Sequence, residues 1–312
     1  MIAVQFDRPG PSSVLHLGDR PVPAVPEGRI LVNVRAAGIS PIDLSLRAGT
    51  SALTSSLGYP HVTGIDAAGT VAEIGRGVSG VDLGDEVFGT VLLSDFGGAT
   101  AEYAVLDHWG RKPPEWSWAE AAVAGSALET ATRALDLLRI VPGEIVVVEG
   151  AAGGIGSIAA QLAVARGARV FGTAREESLP VVAALAGVTP VPSGEGWMRS
   201  LREMGIDRVD AALDARGGGA LPALVAAAGG PERVVTITDP AAAEYGVRFT
   251  RGSLAGEPTG HHGLTTIAGS GGRPAATMPI RATFPFSEAP AAHDAAQTRP
   301  AWGRVALLND RV

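Results

Sequence analysis

The sequence predicts an α/β protein in which a doubly wound parallel sheet is inserted into a mostly antiparallel β domain. Three observations predict it. Short β-type runs separated by Gly, Pro and Asp fill the first part of the chain, helices and strands alternate through the middle, and the β-and-turn texture returns after about residue 250. Strands alternating with helices imply right-handed crossovers and a parallel sheet, whereas short strands joined by turn residues imply antiparallel pairing.

In chain order, Arg29–Arg35 (RILVNVR), Ala67–Ile74 (AAGTVAEI) and Asp85–Val91 (DEVFGTV) are expected strands, with PVPAVPEG and RGVSGVDLGD as turns between them. Few helices are expected in this part. Ser117 can cap a helix holding Trp118, Ala119, Glu120 and Ala121, and Ala127–Leu138 follows as an Ala- and Leu-rich helix. Glu144–Glu149 (EIVVVE) is a compact apolar strand, Ile155–Arg166 a long apolar helix ended by Gly167, and Ala168–Thr173 (ARVFGT) the next strand. The alternation continues with Val181–Ala186 helical, Arg208–Leu213 a strand, Ala220–Ala228 helical and Arg233–Thr238 a strand. Beyond it, Arg281–Pro285 and Arg304–Leu308 are expected strands and Ser287–Thr298 a helix. The β domain is therefore drawn over 1–118 and 252–312, the α/β domain over 119–251.

Bulk properties narrow the function. A chain of 312 residues is comfortable for two domains. A net charge of −7, with Lys112 the sole lysine, argues against a nucleic-acid partner, since phosphate binding needs clustered cations. With no cysteine, disulfides, thiolate nucleophiles and cysteine-bound metals are excluded. The first residues, MIAVQFDRPG, lack the pattern of a signal peptide, and no window holds about 18 uninterrupted apolar residues. A cytoplasmic protein is expected. There is no G-x-S-x-G elbow, and the sole lysine follows Arg111 rather than the glycine of a phosphate-binding P-loop.

The chemistry is concentrated in Gly150-Ala151-Ala152-Gly153-Gly154-Ile155-Gly156, directly after an expected strand and opening an expected helix. Gly153 and Gly154 let backbone approach a pyrophosphate, Gly156 lets the helix pack closely on the sheet, and the N–H groups and dipole of the helix N-terminus stabilise the anion. The following strand ends in Ala174 and Arg175, where an NAD-preferring site would carry an acid. A guanidinium suits a 2′-phosphate, which favours NADPH, while Glu176 and Glu177 beside it count against that preference.

Further motifs agree. They are Ala36-Ala37-Gly38-Ile39-Ser40-Pro41-Ile42-Asp43 with Arg47 and Gly49, Gly64-Ile65-Asp66-Ala67-Ala68-Gly69-Thr70-Val71, Gly84-Asp85-Glu86-Val87-Phe88-Gly89, and Gly98 with Ala101-Glu102-Tyr103. Ala121-Ala122 and Thr130-Ala131 precede the Gly150–Gly156 loop. Together these residues resemble the medium-chain dehydrogenase/reductase superfamily, and within it the zinc-independent quinone oxidoreductase-like branch. The resemblance implies a GroES-like β domain, a Rossmann domain, a cleft between them and a homodimer. It implies hydride transfer from NADPH to a quinone or enone, with cofactor contacts at Thr130, Ala152, Gly153, Gly154, Ile155, Gly156, Ala174, Arg175 and Ala215. Zinc-containing relatives place Cys and His at positions corresponding to about Ile39 and Ile65, so no metal is expected. The adjacent His261 and His262 diverge by about 100° on a helix and are poorly placed to share an ion.

Ser40 and Asp43 are the catalytic candidates. Ser40 stands where the branch carries Asn, and tyrosines of its relatives correspond to about Ser45 and Ser51. Ser40 could hydrogen-bond a substrate carbonyl or cap the turn before Pro41, and Asp43 could serve that turn or the chemistry. The Gly- and Thr-rich stretch Thr250–Pro279 is a candidate mobile loop at the cleft. Besides a quinone or enone reductase, two readings stay open: a stand-alone enoyl reductase tailoring a polyketide or similar metabolite, and an NADPH-binding sensor or accessory protein that has lost catalysis.

Overall fold

The computed structural model describes residues 1–92, 97–194, 196–252, 256–267, 274–298 and 302–311. They form two compact units, one of Met1–Ser126, Leu264–Pro274 and Ile280–Val312, the other of Ala127–Gly263 with Ala275–Pro279.

The first unit is built from antiparallel sheet. Its central strand, Ile30–Ile39, pairs antiparallel with Asp66–Ile74, with Tyr103–Leu106 and with Arg304–Leu308. Glu86–Thr90 and His108–Arg111 extend the sheet on one side, and Ile280–Pro285 joins Arg304–Leu308 in parallel on the other. Inward residues such as Val32, Val34, Val71, Val87, Leu106, Phe286 and Leu307 are buried in one core. Gly38 is required by closeness, since a Cβ there would stand 2.5 Å from the carbonyl oxygen of Ala122. The expected Ser117 helix is present as Trp118–Ala122. Glu120 N–H donates to Ser117 Oγ at 3.2 Å, and Glu120 accepts from Ser117 N–H at 2.9 Å.

The second unit is a six-stranded, wholly parallel sheet. Its order is Val188–Pro192, Arg169–Ala174, Ile145–Glu149, Ala211–Asp214, Val234–Thr236 and Arg248–Phe249. The near-continuous apolar run IVVVE forms a strand buried on both faces, as a central parallel strand must be. Val147, Phe171, Leu201, Leu221 and Leu224 pack the layer beneath it. Strand order proceeds outward from Ile145–Glu149 in one direction and then resumes on its other side. That reversal makes the doubly wound Rossmann topology and opens a crevice at the carboxyl ends of the strands.

Expected and observed elements differ in places. The helix Pro41–Ala48 was not expected; Ser40 in extended conformation and Pro41 in the first turn start it, and Gly49 at φ 80° ends it. The strand Val188–Pro192 was also missed, because Pro190 and Pro192 break a strand pattern and are tolerated only at a sheet edge, where it lies. The helix expected over Val181–Ala186 runs Leu179–Ala183 instead, begun by Pro180 in its first turn. Among the described residues no helix is long and apolar enough to cross a membrane.

Candidate functional site

The sheet of the second unit assembles most of the predicted cofactor residues. Ala152, Gly153, Gly154, Ile155 and Gly156 follow the strand Ile145–Glu149, Ala174 and Arg175 end one neighbouring strand, and Ala215 follows the other. All therefore sit at the carboxyl ends of three adjacent parallel strands. Ala215 N–H donates to the Glu149 carbonyl at 3.0 Å, which closes that side.

The loop itself is shaped by backbone. Gly150 holds φ 82°, a conformation only glycine adopts without strain. Gly153 N–H donates to the Gly150 carbonyl at 3.0 Å, and Ala151 N–H to that of Thr173 at 2.9 Å. A Cβ on Gly156 would stand 2.2 Å from the Gly150 carbonyl oxygen, so glycine there sets how closely the helix Gly154–Ala165 approaches the strand. Gly153 begins that helix and no side chain caps it. The N–H groups of its first turn thus remain open to an anion, and a pyrophosphate fits the chemistry of that end.

Around the loop lies a cluster that sequence reasoning missed. Glu149, 2% exposed, accepts hydrogen bonds from the Thr173 hydroxyl and from Arg216 Nε, the latter at 2.5 Å. Thr173 Oγ1 in turn accepts from Gly150 N–H at 3.2 Å. Asp214, fully buried, accepts from the N–H groups of Arg216 and Gly217 and from the Thr236 hydroxyl. The one signal for this cluster was the acid that ends an otherwise apolar strand.

Arg175 is half-exposed, its nearest acid Glu177 at 3.9 Å, and Ala174 beside it is buried. Thr130 makes its contacts elsewhere: it donates to Glu129 at 3.0 Å and accepts from Arg133 Nη2 at 3.4 Å. Arg133 also pairs with Glu129 at 2.8 Å and donates to Thr250 at 2.6 Å. Burial alone would raise the Glu129 carboxyl, but the hydrogen bond and charge of Arg133, with the Gly260 N–H and the Thr130 hydroxyl, together hold it below the usual range. Of the stretch Thr250–Pro279, 253–255 and 268–273 lie outside the described residues. Its described part is anchored by Thr250 on Arg133, by Gly260 N–H on Glu129, and by Thr277, whose N–H and carbonyl both bond the Gln161 amide.

In the first unit, Ser40 and Asp43 are brought together. Asp43 Oδ2 accepts from both the N–H and the hydroxyl of Ser40, each at 2.7 Å, which fastens the start of the helix Pro41–Ala48. Asp43 Oδ1 is buried without a hydrogen-bond partner. Burial pushes the Asp43 carboxyl up to about 7, against the pull of the two Ser40 bonds. Asp66, which accepts from Ser126 N–H and hydroxyl at 2.6 and 2.5 Å, is likewise raised by burial. Arg304 faces both charges and is itself held below the usual arginine range by burial. Among the described residues neither carboxyl has an ion pair within 4 Å. The Asp43 carboxyl can thus hold or release a proton near neutral pH.

No group of three or more His, Asp or Glu stands ready to hold a metal among the described residues. His262 pairs with Asp136 at 3.2 Å.

Residues 26–113 match the family of alcohol dehydrogenase GroES-like domains. A quinone oxidoreductase of Sus scrofa is 35% identical over 181 residues, which is 57% of this chain and 54% of that protein. The chain thus spans about half the length of the curated relatives it matches. The quinone oxidoreductase structure from Coxiella burnetii superposes at a TM-score of 0.81 with 28% identity, covering 99% of both chains. A mycobacterial protein solved in complex with NADPH superposes at 0.77 with 26% identity, covering 99% of this chain and 100% of its own.

Proposed function

Since the chain belongs to the medium-chain dehydrogenase/reductase superfamily, on its quinone oxidoreductase-like side, we propose that it is an NADPH-dependent oxidoreductase that delivers hydride, without a metal, to a quinone or an α,β-unsaturated carbonyl. The observation that carries this reading is the uncapped helix start at Gly153–Gly156, at the carboxyl end of the central parallel strand. When bound there, a nicotinamide dinucleotide supplies the hydride.

The chain's own residues would divide the remaining work. Backbone N–H groups of the first helical turn would hold the pyrophosphate, and Gly156 lets that helix lie close to the strand. Arg175, with Ala174 in place of an acid, supports a preference for the 2′-phosphate of NADPH, and the relative solved with NADPH agrees with that choice. Ser40 and Asp43 are the catalytic candidates, the Asp43 carboxyl holding a proton near neutral pH and the Ser40 hydroxyl donating to Asp43 Oδ2 at 2.7 Å. Reduction of an acceptor that is already polarised needs no Lewis acid, and the resemblance implies that zinc ligands of metal-containing relatives correspond to about Ile39 and Ile65 here, neither able to bind a metal.

The test is NADPH consumption with a panel of quinones and enones, repeated with NADH. Turnover of simple quinones or enones with NADPH is the expected result. Tight binding of NADPH with no consumption across the panel would favour a sensor, and binding of neither dinucleotide would end the proposal. Equal or tighter NADH binding would remove the preference for NADPH alone.

A further inference from the structure

A carboxylate is an unfavourable neighbour for a pyrophosphate, yet Glu149 immediately precedes the glycine loop and is almost wholly buried. Its strand neighbours in register are Thr173 and Asp214, so no cation reaches it from within the sheet. The cation comes instead from the loop after the strand Ala211–Asp214. Arg216 lays its stem on Gly150, whose Cβ, if present, would stand 2.9 Å from that of Arg216. The guanidinium then returns Nε to Glu149 at 2.5 Å. Three glycines follow, Gly217, Gly218 and Gly219, with φ 69°, 72° and 84°. They allow the tight turn, and the buried Asp214 fastens it through the N–H groups of Arg216 and Gly217.

We infer that Arg216 is a positioning residue of the dinucleotide site: it cancels the Glu149 carboxylate at the mouth of the glycine loop, so that the loop can accept a pyrophosphate. This rests on the nicotinamide-dinucleotide reading above. The pair is placed for that task by its partners. Nε is spent on Glu149, the Arg216 side chain is 41% exposed, and its Nη1 lies toward Gly218, whose Cβ position is 3.6 Å away. A carboxylate buried as deeply as Glu149 is poorly screened by water, so its charge is felt by an anion at the loop unless a cation offsets it. The role is separate from that assigned to Arg175, which concerns the 2′-phosphate and hence NADPH alone.

Dissociation constants for NADPH and for NADH, with unfolding midpoints, test this on Arg216→Gln, Glu149→Gln/Arg216→Gln and Arg175→Ala. Gln keeps a side-chain hydrogen-bond donor while removing the charge, and an unfolding midpoint near the parent's is expected. Arg216→Gln is expected to weaken both dinucleotides alike, by about tenfold. The double variant, which has no carboxylate left to cancel, is expected to recover to within about threefold of the parent. Its recovery also distinguishes the role from a structural one, since restoring charge balance does not restore a lost packing contact. Parent-like binding by Arg216→Gln, loss confined to NADPH, or a double variant as weak as the single one would each overturn the inference. A parent protein that binds neither dinucleotide would overturn the reading beneath it and the inference together.

Discussion

The two candidate sites handle buried charge in opposite ways. In the parallel-sheet unit the buried Glu149 is matched by Arg216 at 2.5 Å, and the surface offered to a ligand is backbone N–H. In the antiparallel unit Asp43 and Asp66 are hydrogen-bonded by hydroxyl and N–H donors, Arg304 acts on them without an ion pair within 4 Å, and burial holds their protons to higher pH. Asp43 and Asp66 hold their protons more tightly because desolvation penalises the ionised form more than their hydrogen bonds and the charge of Arg304 favour it. The first arrangement suits a binding site and the second a site that exchanges protons.

The largest effect that would sharpen this comparison lies in the backbone of the loop. Gly156→Val places carbon 2.2 Å from the Gly150 carbonyl, a clash between main-chain segments that no rotamer relieves. Dinucleotide affinity should fall at least about 100-fold, roughly 3 kcal/mol, and calorimetric titration with NADPH reads it directly. Affinity within a factor of three of the parent would show that the loop is not the binding element.

An effect on stability rather than on affinity separates the titratable site from the paired one. The Asp43 carboxyl rises from an ordinary value of 3.8 to about 7 on folding. Its contribution to stability is therefore complete below about 3.8 and is lost as pH rises toward about 7, at up to roughly 1.4 kcal/mol per pH unit, with no further loss above that. Asp43→Asn should flatten the unfolding free energy across that window, as followed by urea denaturation at stepped pH. A variant whose slope equals the parent's would show that Asp43 ionises normally and that the contrast between the sites is misdrawn.

The smallest expected effect concerns the exposed arginine. Arg175→Ala should weaken NADPH by about tenfold and leave NADH nearly unchanged, since an exposed guanidinium acts mainly through direct phosphate contact. Equal losses for the two would move the basis of cofactor choice away from this strand end.

Local pattern was enough to read the glycine loop, the capped helix at Ser117 and the alternation that builds the parallel sheet, because each is written in residues adjacent along the chain. The Gly150–Gly156 loop needs no distant partner to be recognised: its work is done by φ angles, close approach and the start of one helix. The cluster of Glu149, Thr173 and Arg216 was not legible, since its members are 24 and 67 residues from Glu149 and meet only when three strands align. Asp43 was visible as a turn residue, but its raised carboxyl follows from burial and, to a lesser degree, from the charge of Asp66, against the pull of Arg304; none of this is written in the residues beside it. The sequence alone thus determined where a glycine loop opens a helix with no side-chain cap. Only the tertiary structure decided which charges are cancelled and which are left to titrate, because desolvation and ion pairing depend on neighbours that folding brings together.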